Sequence, residues 1–287
     1  MKAKKQNRNP LSLAAAALAL VAMAQLAPAA DTTITGTTGG NDSWNTAVNW
    51  SAGVPTGAMN AVIAANVTAK VENAVVPTYT GSLTLNTNSL LQIAFTTNNA
   101  QDINALGTVG STIIHMNAGS LLNLRTSQPA SYNIPAIQLL GNATIKLGES
   151  TQGGSGRTFA GGISGPYSLT LQSNGGKTAY LTVANTIGEL VADGFWGTGW
   201  TVRADAAGSL GGNVTIKAYP VTNVISANLI INAANVMADT ATLTLNGPAS
   251  ATKLTMNQSD TIGGLVVDGV RQPAGTYGKT GVPRNIK

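Results

Sequence analysis

The strongest constraint on this chain is a short-period recurrence of alternating runs. After residue 30, Val, Ile and Leu come in runs of three to six residues in which apolar and polar side chains alternate. Ser82-Leu83-Thr84-Leu85, Ser168-Leu169-Thr170-Leu171, Asn213-Val214-Thr215-Ile216-Lys217 and Thr242-Leu243-Thr244-Leu245 are examples. Period-two alternation puts one side of a run against a core and the other toward water, which is the pattern of a strand. Few windows sustain a 3.6-residue period, and 33 glycines and 11 prolines interrupt windows of helical length. Over 225–237 the Ala and Asn spacing suits a helix, but Val224-Ile225 and Ile230-Ile231 are β-branched and favour strand. The reading is all-β.

The spacing of the runs selects an architecture. Apolar positions recur at loosely regular steps, at Leu169/Leu171, Leu181/Val183, Val202, Val214/Ile216, Leu229/Ile231, Leu243/Leu245, Leu254 and Leu265/Val267. Self-similarity of this kind suits stacked coils, each unable to bury its apolar face until a neighbour covers it. Asn and Thr between the runs suit tight corners, because Asn tolerates the left-handed conformation. The expected fold is a right-handed parallel β-helix, with about a dozen coils of ~22 residues. The alternative is a pair of β-sandwiches, built from strands at intervals of about 8–12 residues. Two sandwiches need a linker, and Gly153-Gly154-Ser155-Gly156 is the one candidate.

Residues 1–29 read as a secretory signal peptide. A basic segment from Lys2 to Arg8 precedes an apolar run from Leu11 to about Leu26, and Ala27-Pro28-Ala29 supplies small residues for cleavage. The apolar run, at roughly 16 residues, is short of the ~20 that cross a bilayer. Residues 30–287 then form one β-helix domain, with an N-terminal cap around 41–60 and a C-terminal cap around 262–287. Secretion or display at the cell surface is expected, with no membrane span in the mature chain.

Composition excludes several functions. The formal charge of +5 owes 4 of its 16 basic groups to Lys2, Lys4, Lys5 and Arg8, leaving 12 against 11 acids. No later basic block exists to track a phosphate backbone, so nucleic acid is not an expected partner. The absence of cysteine removes disulfides, thiolate metal sites and a cysteine nucleophile. His115 is the only histidine, which removes multi-histidine metal centres. Gly278-Lys279-Thr280 is no phosphate loop, since Pro273 stands where the opening glycine belongs. Neither a metal nor a cofactor is expected.

Three stretches resemble a known class. Ser43-Trp44-Asn45-Thr46-Ala47-Val48-Asn49-Trp50-Ser51-Ala52-Gly53-Val54-Pro55 resembles the opening of bacterial secreted proteins with autotransporter-associated β-strand repeats. Ala204-Asp205-Ala206-Ala207-Gly208-Ser209-Leu210-Gly211-Gly212-Asn213-Val214-Thr215-Ile216 is similar to the repeat's alanine-rich turn and following strand. Ile262-Gly263-Gly264-Leu265-Val266-Val267-Asp268-Gly269 and Pro273-Ala274-Gly275-Thr276-Tyr277-Gly278 resemble its terminal segment. The resemblance implies a β-helical, passenger-like protein with a structural or adhesive role. It departs from self-transporting members in leaving no room for a C-terminal membrane barrel.

Candidate chemistry is sparse. Enzymes that cut polysaccharides need clustered acids, as an acid/base pair or as calcium ligands beside a base. Glu149, Glu189, Asp193 and Asp205, with Arg157, Arg203 or Lys217, are the residues that stacking would have to bring together. Otherwise they are solvated corner residues. His115, in Thr112-Ile113-Ile114-His115-Met116, reads as a half-exposed strand residue, with no Gly-x-Ser-x-Gly elbow to partner it. Phe195-Trp196-Gly197-Thr198-Gly199-Trp200 offers the binding hint: Phe195, Trp196 and Trp200 would stack on sugar rings. The bland reading folds these rings against the solenoid, and Trp44 and Trp50 would likewise cap its first coil.

The favoured function is therefore a secreted or cell-surface structural or adhesive protein without catalysis, contacting extracellular polysaccharide or other envelope proteins. Self-association is left open. The alternatives are a β-helical polysaccharide lyase or hydrolase and a carbohydrate-binding module.

Overall fold

A computed structural model describes residues 29–36, 41–72, 76–95, 104–126, 132–148, 156–173, 176–194, 199–217, 227–247 and 252–275. Within them the chain winds as a parallel β-solenoid whose strands stack in three rows along one axis. The first row runs through Asp31–Ile34, Asn60–Ile63, Leu83–Leu85, Ile113–Met116 and Ala136–Leu139. It continues into the leading ends of Ile163–Ser173 and Thr186–Gly194.

The second row begins with Asn41–Ser43, Thr68–Glu72, Leu90–Phe95, Leu121–Thr126 and Ala143–Lys146. It takes the trailing ends of Ile163–Ser173 and Thr186–Gly194, then Asn213–Lys217, Thr242–Asn246 and Gly264–Val267. A separate sheet of six strands forms the third row: Tyr132–Asn133, Gly156–Thr158, Thr178–Leu181, Trp200–Ala204, Ala227–Ile231 and Thr252–Met256. Every pairing within the three rows is parallel, which excludes the sandwich alternative.

Alternation builds the core. In the second row Leu122, Ile145, Leu171, Ala192, Ile216 and Leu245 stand directly above one another, facing inward. Ala143, Leu169, Leu190, Val214, Leu243 and Leu265 form a second such ladder. Each member is buried, and each large aliphatic side chain so covered contributes about 1.5–3 kcal/mol. A single coil exposes this face to water, and only its neighbours remove it. Among the described residues the second row holds ten strands, so the coils seen there are fewer than the dozen expected. They are also uneven: the coil that separates the ladder partners Leu83 and Ile114 is longer than the one that separates Leu169 and Leu190.

Asparagine sets the corners in two ways. Asn66 (φ 62°), Asn88 (φ 55°) and Gly119 (φ 71°) take the left-handed conformation at the same corner of successive coils. Elsewhere the side chain bridges coils: the amide oxygens of Asn60, Asn142 and Asn213 accept the backbone N–H of Ser82, Ser168 and Thr242 at 2.8, 3.0 and 2.9 Å. Each donor precedes an inward leucine of the next coil, so the bond helps hold strand register.

The stack is closed at opposite corners. Over the first strand, Trp50 bridges Ile34 in antiparallel sense, and Ser51 N–H donates to Thr33 O at 2.9 Å. Trp44 and Trp50 are buried there in an edge-to-face pair with centroids 4.7 Å apart, and the Trp50 indole N–H donates to Trp44 O at 2.6 Å. At the other end Val270–Arg271 turns back antiparallel on Gly264–Val267. Beside it a cavity of about 280 Å³ opens on the last inward side chains, among them Leu254, Met256 and Leu265. Asp260 sits at its wall, accepting N–H bonds from Met237 and Thr261 at 3.1 and 3.0 Å. Burial nonetheless holds its carboxyl above the usual carboxylate range.

Close approach of coils leaves no room for a side chain at several glycines, Gly212 among them. A Cβ on Gly212 would lie 2.6 Å from the carbonyl oxygen of Ile187 and against that of Gly188. Both obstacles are backbone, so Gly212→Ala must push two coils apart and strain the Gly212 N–H bond to Ile187 O. A loss of about 2–3 kcal/mol in unfolding free energy is expected from overpacking and the weakened bond. Gly53→Ala, with open space but φ of +84°, is expected to cost only about 1 kcal/mol. Denaturant titration of the two variants measures the difference, and equal midpoints would remove the steric argument.

Candidate functional surface

The solenoid displays side chains outward in parallel ladders, so function is sought on its flanks. On the second row one ladder reads Lys70, Gln92, Asn123, Lys146, Gln172, Asp193, Lys217 and Asn246, of which Asn123 is buried. The neighbouring one carries Thr144, Thr170, Val191, Thr215 and Thr244, with Val191 covered by its neighbours. Hydroxyls fill the rest of the second ladder, and amides are interspersed with Lys70, Lys146, Asp193 and Lys217 in the first.

The candidate acids do not converge. Glu189 and Asp193 share the outward side of one strand, two ladder columns apart, a separation of about 13 Å. The carboxyl pair of a glycosidase stands about 5–9.5 Å apart, and here each carboxylate is drawn to its own neighbours in adjoining coils and not toward the other. Glu189 instead accepts hydroxyl bonds from Ser168 at 3.0 Å and Thr215 at 2.8 Å, in the coils on either side. Asp193 accepts from the Gln172 amide at 3.1 Å and stands in register with Lys217. Asp205 and Arg203 lie on the third row, paired at 2.7 Å. Glu149 lies outside the described residues. Among the described residues no three His, Asp or Glu side chains group as metal ligands. His115 is half-buried, as its strand position suggests, and its ladder neighbours Thr84 and Gln138 include no acid.

Two assignments need correction. Arg157, read as a solvated corner residue, points into the core with no exposed surface. It occupies the inward ladder of Tyr132, Ala179 and Val202. Its guanidinium lies 4.7 Å over the Tyr132 ring and donates to Gly156 O at 3.1 Å. Burial lowers its pKa to about 10, and Lys177, also buried, is lowered by burial and by Arg157. The signal that finds Arg157 is its two-residue offset from Phe159, which is buried on the same side.

Trp200, placed in the sugar-stacking turn with Phe195 and Trp196, is 1% exposed. It opens a strand whose inward members are Trp200, Val202 and Ala204, and its ladder neighbour Ala227 is small. Its ring packs in the core and presents no face to solvent. Phe195 and Trp196 lie outside the described residues.

An aromatic ring does appear on the outer side of the same row. Tyr180 lies across Gly156 of the preceding coil, where a Cβ would fall within 2.6 Å of ring carbon Cδ2. The Arg203 guanidinium sits 5.4 Å from the ring centroid. Asp205 Oδ1 accepts from Arg203 Nε and from Asn232 Nδ2, both at 2.7 Å, and Asn232 Oδ1 accepts from Asn257 Nδ2 at 2.6 Å. A hydrogen-bonded chain thus crosses three coils beside the ring. Sequence reasoning names Arg203 and Asp205 but not Tyr180, Asn232 or Asn257, because uneven coil lengths hide which residues stack.

Fold and surface together define the class: a parallel β-solenoid whose flanks carry ladders of polar side chains. In comparisons with known proteins the chain matches no family model, no curated protein and no solved structure.

Proposed function

We propose that this chain is an exported structural or adhesive protein that works by surface contact along its flanks and not by turnover. The supporting observation is the disposition of its acids. Glu189, Asp193 and Asp205 are each bonded to neighbouring side chains and separated onto two rows, while Thr, Asn and Gln side chains share the outward positions with a few charges. Such a flank suits extracellular polysaccharide or other envelope proteins, contacted through many weak hydrogen bonds. The order of basic segment, apolar run and Ala27-Pro28-Ala29 supports export to the surface or medium through the general secretory route. The three stretches that resemble autotransporter-associated repeats support a kinship with such passengers, for which the solenoid is the fitting fold.

Intact-mass measurement of protein recovered from periplasm or medium is expected to show an N-terminus just after residue 29; a chain still starting at Met1 counts against export. Incubation with neutral and acidic polysaccharides, with and without calcium, is expected to yield no new chain ends. Turnover abolished by Asp205→Asn would put the lyase or hydrolase reading first. The carbohydrate-binding reading has its own support in the strip beside Tyr180.

A further inference from the structure

We infer that the outer side of the third row, from Tyr180 to Asn257, binds a neutral oligosaccharide laid along the solenoid axis. The inference narrows the adhesive reading by naming a ligand class, and rests on that reading for the ligand's presence outside the cell. Three features of the strip carry it.

The first is an apolar platform. Gly156 leaves room for the Tyr180 ring to lie down on the sheet, half-buried, instead of standing off it. Ile230, next but one in the same ladder and also half-buried, extends the apolar contact beyond Arg203. The C–H face of a sugar ring gains from such surfaces, and an aromatic ring orients it.

The second is a periodic row of hydrogen-bonding groups alongside. Asp205, Asn232 and Asn257 follow one another in successive coils and hold each other in place. Neighbouring strands lie about 4.8 Å apart, so the three span about 10 Å, close to the length of two linked sugars. A carboxylate has two oxygens and each amide two N–H groups, so the mutual bonds leave capacity on every member for sugar hydroxyls. Groups fixed beforehand lose little freedom on binding.

The third is charge. Arg203 and Asp205 neutralise each other at 2.7 Å, and the amides and phenol carry none. Among the described residues the one further charge on the strip, exposed Lys253, stands in the next column beside Asn228. An acidic polymer would have to compete with Asp205 for the guanidinium. A neutral one need displace nothing.

The test is isothermal titration of the full mature chain with cellotetraose, chitotetraose and mannotetraose, with tetragalacturonate as the acidic comparison. Retention of the protein on the surface of producing cells is measured in parallel. At least one neutral tetrasaccharide is expected to bind better than tetragalacturonate. Tyr180→Ala is expected to weaken that binding about tenfold, and Asn232→Ala a few-fold. Val48→Ala, exposed at the N-terminal end and on no ladder, should leave affinity unchanged. Thermal melting confirms that the variants fold, and Tyr180→Phe, which keeps the ring, should bind nearly as the parent does. Unaltered affinity in folded Tyr180→Ala overturns the inference, as does preference for tetragalacturonate. Surface retention without binding of any tetrasaccharide also overturns it while leaving the adhesive reading in place. Tetrasaccharide binding without retention supports the strip and counts against adhesion.

Discussion

Val214→Asp is expected to unfold the last coils of the solenoid while leaving the N-terminal coils folded. Val214 has no exposed surface and stands between Leu190 and Leu243 in an inward ladder. Nothing in that ladder can pair with a carboxylate. The substitution combines the lost apolar burial with an uncompensated charge, or with the protonation needed to avoid one, for a total of about 5 kcal/mol. That is comparable to the whole stability of many domains, ~5–15 kcal/mol. In a stack where each coil touches only its neighbours, damage spreads from the altered coil but need not reach the far end. Limited proteolysis followed by mass measurement should therefore find cuts around residues 205–245 and a surviving N-terminal fragment. Asp239→Asn, at an exposed position on the last coils, should resist protease as the parent does. Equal resistance of the two variants would contradict the inward ladder, and loss of the whole chain at once would contradict coil-by-coil coupling.

Trp200→Ala is the second large effect, expected at about 3–5 kcal/mol. The indole is among the largest fully buried side chains in the core, and removing it leaves a void that Ala227 beside it cannot fill. Its N–H makes no hydrogen bond, so the cost comes from packing alone. The outer side of the strand, carrying Thr201 and Arg203, should keep its geometry below the melting point. Chemical denaturation measures the loss. A variant as stable as the parent, with weakened oligosaccharide binding, would place the indole on the surface instead.

Much of this fold is visible in the letters, and the reason is local. Whether Leu169 or Thr170 faces inward depends only on period two, and both fall as the alternation requires. Asn66 and Asn88 adopt the corner conformation that their side chains tolerate. The same rule places Trp200 with Val202 inside, yet the surrounding glycines suggest an exposed turn; there period is the better guide than composition. What local pattern does not convey is which coil residues become neighbours. That depends on coil length, which differs between the Leu83–Ile114 and Leu169–Leu190 steps. It also depends on bends such as the register shift between Gly165 and Ser168, where one strand of 11 residues passes from the first row to the second. Tyr180, Arg203 and Asn232 come from three successive coils, and their meeting follows from those lengths. Arg157 escapes for a different reason: a guanidinium in a core is rare enough that exposure is the default expectation.

The two antiparallel closures, Trp50 and Ser51 over the first strand and Val270–Arg271 against the last of the second row, bear on how such a molecule can vary. A parallel edge left bare would accept another strand running the same way and so template growth; a reversed segment occupies that edge with the wrong polarity. Each closure is thus a stop for one row at one end, the first row at its start and the second at its finish. Duplicating one coil in the interior would lengthen every outer column by a single rung of about 4.8 Å and leave both stops as they are. The solenoid can serve as a gauge whose span changes by whole rungs, with the grip on each rung kept.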